Sequence, residues 1–253
     1  MYQRYTDAHV LTVRLLTLAG LSDYEIGRRL KIPRSTVNNW RRRRGWPQFS
    51  VTRHRFTAGD PATYAYLLGV YLGDGHLVRC SRNGWRLGIY CDGRYPLILD
   101  EIKNAIGACV PNVNVCLNTA SGGNGVALFA SSRLWPAAFP QHGPGRKHQR
   151  PIELEPWQLK ITHRFPQSLL RGLIHSDGCR CVNRFRTRLP SGRVAEYAYP
   201  RYFFSNLSTD IRRIFSDHCD LLGIRWTQAN DRNISVAHRS SVAAMDAFIG
   251  PKR

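Results

Sequence analysis

Long apolar runs and alternating apolar and polar positions divide this chain into predicted helices and strands. The two most regular runs are residues 67–75 and 170–178, each of which has an apolar helix pattern, contains glycine and ends in Asp-Gly. An apolar run of this kind predicts a buried helix. Glycine inside a helix costs about 1 kcal/mol relative to alanine, so Gly69 and Gly172, at the same place in each run, indicate that another backbone approaches closely there.

Each run ends with an acid at a position that a helix disfavours. Asp74 and Asp177 stand just before Gly75 and Gly178, which we expect to be the C′ residues of the two helices. The negative end of a helix dipole disfavours a carboxylate by about 0.3–1 kcal/mol. If the helices pack together at their glycines, both carboxylates meet, and a divalent cation would bind them. For either run alone, an ordinary Asp-Gly helix exit is the alternative interpretation.

The segments that follow the two runs repeat one order of elements. Residues 76–90 alternate on either side of Asn83-Gly84, a dipeptide typical of hairpin turns, and a second hairpin pattern follows Gly178. Beyond the hairpins the pattern predicts helices at Tyr95–Ile106 and Ser208–Leu222, strands at Val113–Leu117, Val126–Ala130, Arg225–Ala229 and Ile234–His238, and terminal helices at Ser132–Phe139 and Ser240–Ile249. The sequence therefore predicts two copies of one plan.

Arginine recurs along one side of each predicted hairpin. In the first hairpin, Arg79 and Arg86 are expected on one face, with Val78, Cys80, Leu87 and Ile89 on the other. In the second, the predicted face carries Arg180, Arg184, Arg186 and Arg188, with Tyr199, Arg201, Phe203 and Ser205 on the returning strand. Such faces can lie along a nucleic-acid groove, although any half-solvated sheet also alternates in this way.

Residues 6–46 have the periodicity of three short helices. The first stops at Gly20, and a capping box at residues 22–25 opens the second. The third is predicted from about Arg34 to Arg44, with an apolar side and a basic exposed side. Residues 47–60 lack clear periodicity and are interpreted as a linker.

This order of helices resembles the helix-turn-helix of resolvase-type DNA-binding proteins, in which the last helix enters the major groove. Asparagine can read adenine, and arginine can read guanine or contact phosphates. The residues expected to bind DNA in this helix are Arg34, Ser35, Thr36, Asn38, Asn39, Arg41 and Arg42. An ordinary three-helix bundle with a solvated basic face is the alternative.

The composition favours a nucleic-acid partner. Among 253 residues, 37 Lys and Arg outnumber 17 Asp and Glu, which gives a formal net charge of +20. This charge favours a polyanion and argues against a free metabolic enzyme. We expect a cytoplasmic protein with neither a signal peptide nor a membrane span, because no apolar stretch is long enough. The seven cysteines have no CxxC spacing and are expected to be reduced, without a zinc site at Cys179 and Cys181.

The two runs resemble the LAGLIDADG motif of homing endonucleases. Their separation of 103 residues, from Asp74 to Asp177, resembles that of the single-chain members of the family. The resemblance implies an α+β fold in which a pseudo-two-fold pair of αββαββα units forms a saddle, here preceded by a small all-α helix-turn-helix domain. It also implies four segments: residues 1–46 for the helix-turn-helix, 47–60 for a linker, and 61–150 and 151–253 for the two LAGLIDADG halves.

The same resemblance implies magnesium-dependent hydrolysis of double-stranded DNA, with Mn²⁺ as a substitute for Mg²⁺. The acids at the eighth motif position, Asp74 and Asp177, would bind the metal with help from the carbonyls of Gly73 and Ser176. Family members often add a lysine before the second motif, and here we expect Lys147 in that role, with Arg150 as second choice. His175 is expected to be a packed histidine, and two motifs in one chain favour a monomer.

Two other functions are compatible with these patterns. A transcription regulator could use the same scaffold to bind DNA without cutting it, and the N-terminal helix-turn-helix is common in such proteins. An RNA-binding or splicing-assisting role would use the same basic surface. The presence of both Asp74 and Asp177 favours the enzyme, because a protein that only binds gains nothing from two destabilising carboxylates.

Overall fold

In the computed structural model, the chain is described at residues 5, 7–42, 56–80, 84–119, 123–250 and 252. It divides into two compact units, residues 1–54 and 55–253. Most of the predicted linker at residues 47–60 lies outside the described residues.

The first unit consists of three helices around a small core of its own. They are α1 (Asp7–Leu18), α2 (Asp23–Leu30) and α3 (Arg34–Arg42). The capping box is confirmed, because the Ser22 side chain accepts from the Glu25 backbone while the Glu25 carboxylate accepts from the Ser22 backbone. The predicted end of the third helix at Arg44 lies outside the described residues. The buried apolar side chains of the unit are Val10, Val13, Ile26, Ile32, Val37 and Trp40.

The second unit contains two copies of the order helix, hairpin, helix, hairpin and helix, as predicted. The first half contains α4 (Pro61–Asp74), β1 (Gly75–Arg79), β2 (Trp85–Asp92), α5 (Pro96–Cys109), β3 (Val115–Thr119), β4 (Gly125–Ser132) and α6 (Trp135–Ala138). After a 3₁₀ turn at Lys147–Gln149 and α7 (Pro156–Arg164), the second half contains α8 (Pro166–Asp177), β5 (Gly178–Arg188), β6 (Val194–Ser205), α9 (Thr209–Leu221), β7 (Thr227–Gln228), β8 (Asn233–Val236) and α10 (Arg239–Ile249). Helix α7 and the 3₁₀ turn were not predicted.

Each half contributes one antiparallel four-stranded sheet, with strand orders β1-β2-β4-β3 and β5-β6-β8-β7. One face of each sheet packs on helices, and α4 and α8 lie in a single core that both halves share. Because α4 is surrounded by protein, residues 64–72 are buried without interruption, whereas an amphipathic helix would alternate. This is the predicted pseudo-symmetric α+β fold. Among the described helices, none combines the length and apolar character needed to cross a bilayer.

The predicted arginine face of the first hairpin is wrong. Val78 stands opposite Arg86, while Arg79 stands opposite Trp85, so Arg79 and Arg86 lie on opposite faces of the sheet. The core face instead takes Leu77, which pairs with Leu87. The pairing register is fixed by the loop, and a shift of one residue moves a whole strand to the other face. Asn83 of the predicted turn lies outside the described residues.

The second hairpin has the same kind of error. Arg180 stands opposite the buried Tyr202, and Arg201 stands opposite Cys181, so Arg201 does not share a face with Arg180. The face of Arg180 continues through three further arginines and is the face that packs on helices near the base of the hairpin. The opposite, open face carries Arg201 together with Tyr199. The arginines that share the face of Arg180 are Arg184, Arg186 and Arg188.

The glycines that follow the two acids are not left-handed C′ residues, contrary to the prediction. Gly75 has φ −84° and Gly178 has φ −113°, both in the extended region, and each begins a strand directly. Their requirement for glycine is steric. A Cβ on Gly75 would lie 2.6 Å from Cα of Tyr71, and one on Gly178 would lie 2.7 Å from Cα of Ile174. The chain therefore turns from helix to strand without room for a side chain.

Candidate active site at the ends of two crossed helices

Helices α4 and α8 cross in direct backbone contact at their glycines. A Cβ on Gly69 would overlap the carbonyl of Leu169 and lie 3.0 Å from Cα of Gly172. A Cβ on Gly172 would overlap the carbonyl of Tyr66 and lie 3.1 Å from Cα of Gly69. The close approach that the sequence predicts for these two glycines is thereby confirmed.

The same packing brings the two acids to one end of the crossing. A Cβ on Gly73 would overlap the hydroxyl of Ser176 and lie 3.0 Å from Oδ2 of Asp177. The negative charge of Asp177 raises the pKa of Asp74, so the two carboxylates act on each other electrostatically. Each acid ends its helix, and each helix continues into the first strand of its half. The second unit therefore has the pseudo-symmetric α+β fold that its resemblance to the LAGLIDADG motif implies.

Comparison with known proteins finds similarity among solved structures. No family model and no curated protein matches the chain. Among solved structures, it is similar to mesophilic variants of the homing endonuclease I-DmoI, with 14% identity and a TM-score of 0.48 over 75% of this chain and 95% of that one. It is also similar to the LAGLIDADG homing endonuclease I-LtrWI bound to target DNA, with 8% identity and a TM-score of 0.48 over 75% and 84% of the two chains. A third is LAGLIDADG meganuclease I-AabMI bound to uncleaved DNA, with 12% identity and a TM-score of 0.47 over 73% and 82%.

Burial disfavours charge on both acids, and the charge of Asp177 adds to this effect at Asp74. Burial is the larger cause and the charge of Asp177 the smaller, and together they raise the pKa of Asp74 to about 7. Burial also raises the pKa of Asp177, although a hydrogen bond from Asn206 opposes this shift. Lys147 and Lys252 favour the charged form of both acids. The site is therefore short of positive charge, which a bound cation would supply.

Lys147, the cation that the sequence analysis expected before the second motif, is half-buried and acts electrostatically on both acids. Its ammonium donates to the carbonyls of Tyr71, Leu72 and Gly73 at 2.5, 2.9 and 2.9 Å. These carbonyls belong to the last turn of α4, where the carbonyls of Leu72 and Gly73 have no partner within the helix, while that of Tyr71 also accepts from the backbone N–H of Gly75. Burial lowers the pKa of Lys147 to about 8, while Asp177 and Asp74 oppose the shift. The lysine thus closes the end of the helix and places a cation next to both carboxylates.

Arg150, the second choice for the supporting cation, is used differently. Its guanidinium donates to the carbonyl of Gln141 and lies against the hydroxyl of Tyr71. Among the described residues, no hydrogen bond joins it to Asp74 or Asp177. Arg150 supports the wall of the site rather than the acids.

Lys252 is a site residue that the sequence analysis missed. Its ammonium donates to the carbonyl of Gly178 at 2.5 Å and lies 5.8 Å from the centre of the Tyr95 ring. Burial lowers the pKa of Lys252, while Asp74 and Asp177 act in the opposite direction. A signal was available in the spacing, because Lys147 follows Asp74 by 73 residues and Lys252 follows Asp177 by 75. The two lysines are counterparts in the two halves.

The residues present fit a hard divalent cation. Two crowded carboxylates provide oxygen ligands of the kind that Mg²⁺ prefers. The described residues hold no cluster of three or more His, Cys, Asp or Glu, so the remaining ligands must come from carbonyls, water or substrate. The carbonyl of Gly73 already accepts from Lys147, and the Ser176 hydroxyl donates to the carbonyls of Gly172 and Leu173. The predicted roles of Gly73 and Ser176 as carbonyl ligands stay predictions.

His175 is packed, as the sequence analysis expected. Its Nδ1 lies 3.1 Å from the hydroxyl of Tyr66, and its Nε2 lies 3.3 Å from the carbonyl of Ile249. Burial and the charge of Arg171 lower its pKa to about 4, although Glu101 opposes the shift. A neutral, hydrogen-bonded imidazole of this kind stabilises the helix interface.

The corrected registers change which arginines lie on the open faces of the sheets. Arg86 stacks on Phe129 at 5.0 Å, and Arg201 stacks on Phe203 at 5.3 Å, each on the face turned away from the helices. Arg180 instead donates to Asp246 of α10 at 2.7 and 2.9 Å. Arg186 pairs with Glu196 across the hairpin. Arg184 and Arg188 are exposed on the same face as Arg186, and Arg79 lies on the core side.

In the first unit, an acid on α2 holds one side of the predicted recognition helix. Asn38 donates to Asp23 at 2.8 Å, and Arg41 forms an ion pair with the same carboxylate. These two side chains join α3 to α2 in the structure. The other side of α3 exposes Ser35, Asn39 and Arg42 in one row, with Arg34 exposed and Thr36 half-buried beside them. The sequence pattern did not distinguish these two sides of α3.

Proposed function

We propose that the protein is a site-specific endonuclease of the homing type that hydrolyses phosphodiester bonds in double-stranded DNA. The observation that carries this proposal is the pair of half-buried acids, Asp74 and Asp177, brought together where two helix ends already repel negative charge. Such a pair costs stability unless something positive binds it, and a protein that needed only a scaffold could replace both acids with amides. The net charge of +20 supports a nucleic-acid substrate.

Asp74 and Asp177 would hold Mg²⁺, for which Mn²⁺ can substitute. When bound, the metal would lower the pKa of a water nucleophile and neutralise charge on the leaving oxygen. The protein itself supplies two fixed ammonium groups, Lys147 and Lys252, on either side of the acids. Both would stabilise the negative charge that develops on the phosphate during hydrolysis. Lys147 would act through its charge alone, because its three ammonium protons already go to backbone carbonyls, whereas Lys252 donates to the carbonyl of Gly178 and keeps protons to donate.

The open faces of the two sheets would position the duplex. Arg86 and Arg201 are held over aromatic rings, which restricts their rotamers before DNA binds. Outside these faces, the exposed arginines of the β5–β6 hairpin can contact phosphates, which adds affinity without sequence information. We propose a monomer, because α4 and α8 of one chain already satisfy each other's interface.

The first unit would add a second DNA contact through α3. Its free row, Ser35, Asn39 and Arg42, contains an amide and a guanidinium that can read base edges. We expect the triple change to alanine in the full chain to reduce sequence-specific affinity at least 10-fold. The matched control is Arg14→Ala, which removes one positive charge from exposed α1. Equal affinity for the wild type and the triple variant would contradict this contact.

Incubation with Mg²⁺ and a randomised duplex library, followed by sequencing of the ends, tests the proposal. We expect breaks at one selected site, lost by at least 10³-fold in Asp74→Asn and in Asp177→Asn. Asp100→Asn, an exposed acid on α5, is the matched control and should cut normally. Tight sequence-specific binding without breaks in Mg²⁺ or Mn²⁺ would overturn the proposal and identify a protein that only binds DNA.

A further inference from the structure

The two acids have different hydrogen-bonding environments. Oδ2 of Asp177 accepts a hydrogen bond of 2.5 Å from the side-chain amide of Asn206. Asn206 directly follows β6, and its backbone N–H donates to Arg232 at 3.0 Å. Gly93 directly follows β2, and its backbone N–H donates to Asn124 at 2.6 Å. The first half therefore has glycine at the position where the second half has the amide.

The orientation of the Asn206 amide is fixed by its surroundings. Its Oδ1 accepts from the backbone N–H of Ser208 at 2.7 Å, and its backbone carbonyl accepts from Arg212 at 2.6 Å. Because the oxygen is committed to Ser208, the NH₂ group must point to Asp177. One oxygen of Asp177 is thereby occupied, and the carboxylate is held in one rotamer.

Asp74 has no such restraint. Among the described residues, no donor hydrogen-bonds to its carboxylate, which lines a cleft of about 500 Å³ together with Cys91, Tyr95 and Lys252. The backbone keeps this difference in place. A Cβ on Gly93 would lie 2.9 Å from Cγ2 of Val126 and 3.0 Å from the carbonyl of Asn124, so the first half cannot accept an asparagine without rearranging.

We propose that Asn206 is a positioning residue that orients Asp177 and makes the two halves of the centre unequal, so that the DNA strand whose cleavage depends on Asp177 is cut first. This inference rests on the proposed endonuclease activity. A carboxylate held by a second partner needs no reorganisation when it acts, and loss of such partners typically costs 10- to 100-fold in affinity or activity. We expect the two strands to be cut at rates that differ at least 10-fold.

Strand-resolved nicking of the selected duplex measures this difference. Asn206→Gly gives the second half the residue of the first. Asn206→Asp keeps the acceptor for Ser208 but removes the donor to Asp177. In both variants we expect the ratio of the two nicking rates to approach one, mainly through slower cutting of the first strand. Asn104→Asp introduces the same charge at an exposed position of α5. It serves as a control and should keep the wild-type ratio of nicking rates.

The wild-type ratio in either Asn206 variant that retains wild-type affinity for DNA in Ca²⁺ would overturn the inference. Equal rates in the wild type would overturn it as well, while leaving the proposed function intact. A protein that cuts neither strand would overturn the proposed function instead.

A second readout does not depend on cleavage. The side-chain ¹⁵N–¹H₂ signals of Asn206, assigned by their absence in Asn206→Asp, should shift in Asp177→Asn and stay in place in Asp74→Asn. This spectrum is recorded on the metal-free full chain. Unchanged Asn206 signals in Asp177→Asn would show that the amide does not hold this acid and would overturn the inference without any cleavage assay.

Discussion

The two halves of the second unit have the same topology but different reach. Strands β1 and β2 contain 5 and 8 residues, whereas β5 and β6 contain 11 and 12. In the first half, β4 pairs with β2 along its whole length, from Trp85 to Asp92. In the second, β8 pairs with β6 only from Tyr202 to Ser205, so the outer part of the hairpin is a two-stranded ribbon. Where the halves meet they are alike, and away from the crossing they are free to differ.

The ribbon has its own source of stability. Two strands alone are marginal in water. Phe185, Tyr197 and Tyr199 stack on the open face, with ring centres 5.4 to 6.1 Å apart. Such pairs contribute about 0.5–1.5 kcal/mol each beyond the area that they bury. The opposite face carries the exposed arginines, so the second half extends a basic arm that has no counterpart in the described residues of the first half.

The largest effect is expected where the halves are alike. Gly69→Ala and Gly172→Ala each place a methyl group against the partner's backbone, which cannot give way as a side chain can. We expect a loss of about 4–5 kcal/mol or more in the free energy of unfolding, enough to abolish folding of a marginal domain. Urea unfolding followed by circular dichroism measures it.

Gly107 provides the control for this change. It lies inside α5 with open space where its Cβ would be, so Gly107→Ala should be stabilising by about 0.5–1 kcal/mol. Similar stabilities for all three variants would show that the helix crossing is not in backbone contact.

The next largest effect is the pH dependence of stability that follows from the raised pKa of Asp74. Burial and Asp177 raise the pKa of Asp74 from 3.8 to about 7. The folded state therefore keeps a proton that the unfolded chain releases near pH 4. Stability of the metal-free protein should fall by about 2–4 kcal/mol as the pH rises from about 4 to about 7. Asp74→Asn should reduce this slope to the part contributed by Asp177, whose pKa burial also raises, and the variant should exceed wild-type stability at pH 8. Parallel stability curves from urea unfolding in EDTA would contradict this.

The two lysines allow a smaller test of the symmetry. Lys147→Met and Lys252→Met keep the length of the side chain and remove its charge. Each should slow cleavage by about 10- to 100-fold, equivalent to about 1.4–2.7 kcal/mol of transition-state stabilisation. Single-turnover cleavage of a duplex labelled on each strand measures this loss. Arg150→Met is the control, because it removes a positive charge from the wall of the site and not from the group of lysines that act on the acids. Full activity in either lysine variant would show that this lysine does not contribute to cleavage.

The smallest effect concerns the ribbon. Arg184→Ala and Arg188→Ala should each weaken DNA binding by about 0.5–1 kcal/mol and reduce the salt slope by about one. Arg180→Ala should change the salt slope less, because Asp246 already neutralises that guanidinium. Titration of binding against salt concentration compares them. An equal slope for Arg180→Ala and Arg184→Ala would contradict the distinction drawn between them.

The features that could be predicted from the sequence are the local ones. An apolar run with glycine and a terminal acid is visible in nine residues, and the repeated order of helices and strands follows from periodicity. The predicted assignment of arginines to strand faces is wrong because the register of a hairpin depends on the length of its loop, which the alternation of residues does not reveal. Arg79 and Arg201 therefore moved to the opposite faces from those expected.

Residues that reach the site from far along the chain could not be found by local pattern. Asn206 is 29 residues from Asp177, and its role depends on the turn that follows β6. Lys252 depends on the same long-range packing, although its spacing gave a usable signal. Asn38 and Arg41 were expected to contact DNA, but both bind Asp23 of the neighbouring helix α2. The sequence pattern of an exposed helix does not reveal such a contact.

The contact between Gly69 and Gly172 also makes each half the other's missing surface. Neither α4 nor α8 can be separated from its partner without exposing bare peptide and a buried apolar helix to water. The connection from α6 to α7 therefore acts as a tether, which keeps the two halves at an effective concentration on the order of millimolar or more. The two halves can stay assembled in this way, at any dilution, for as long as the connecting peptide is intact.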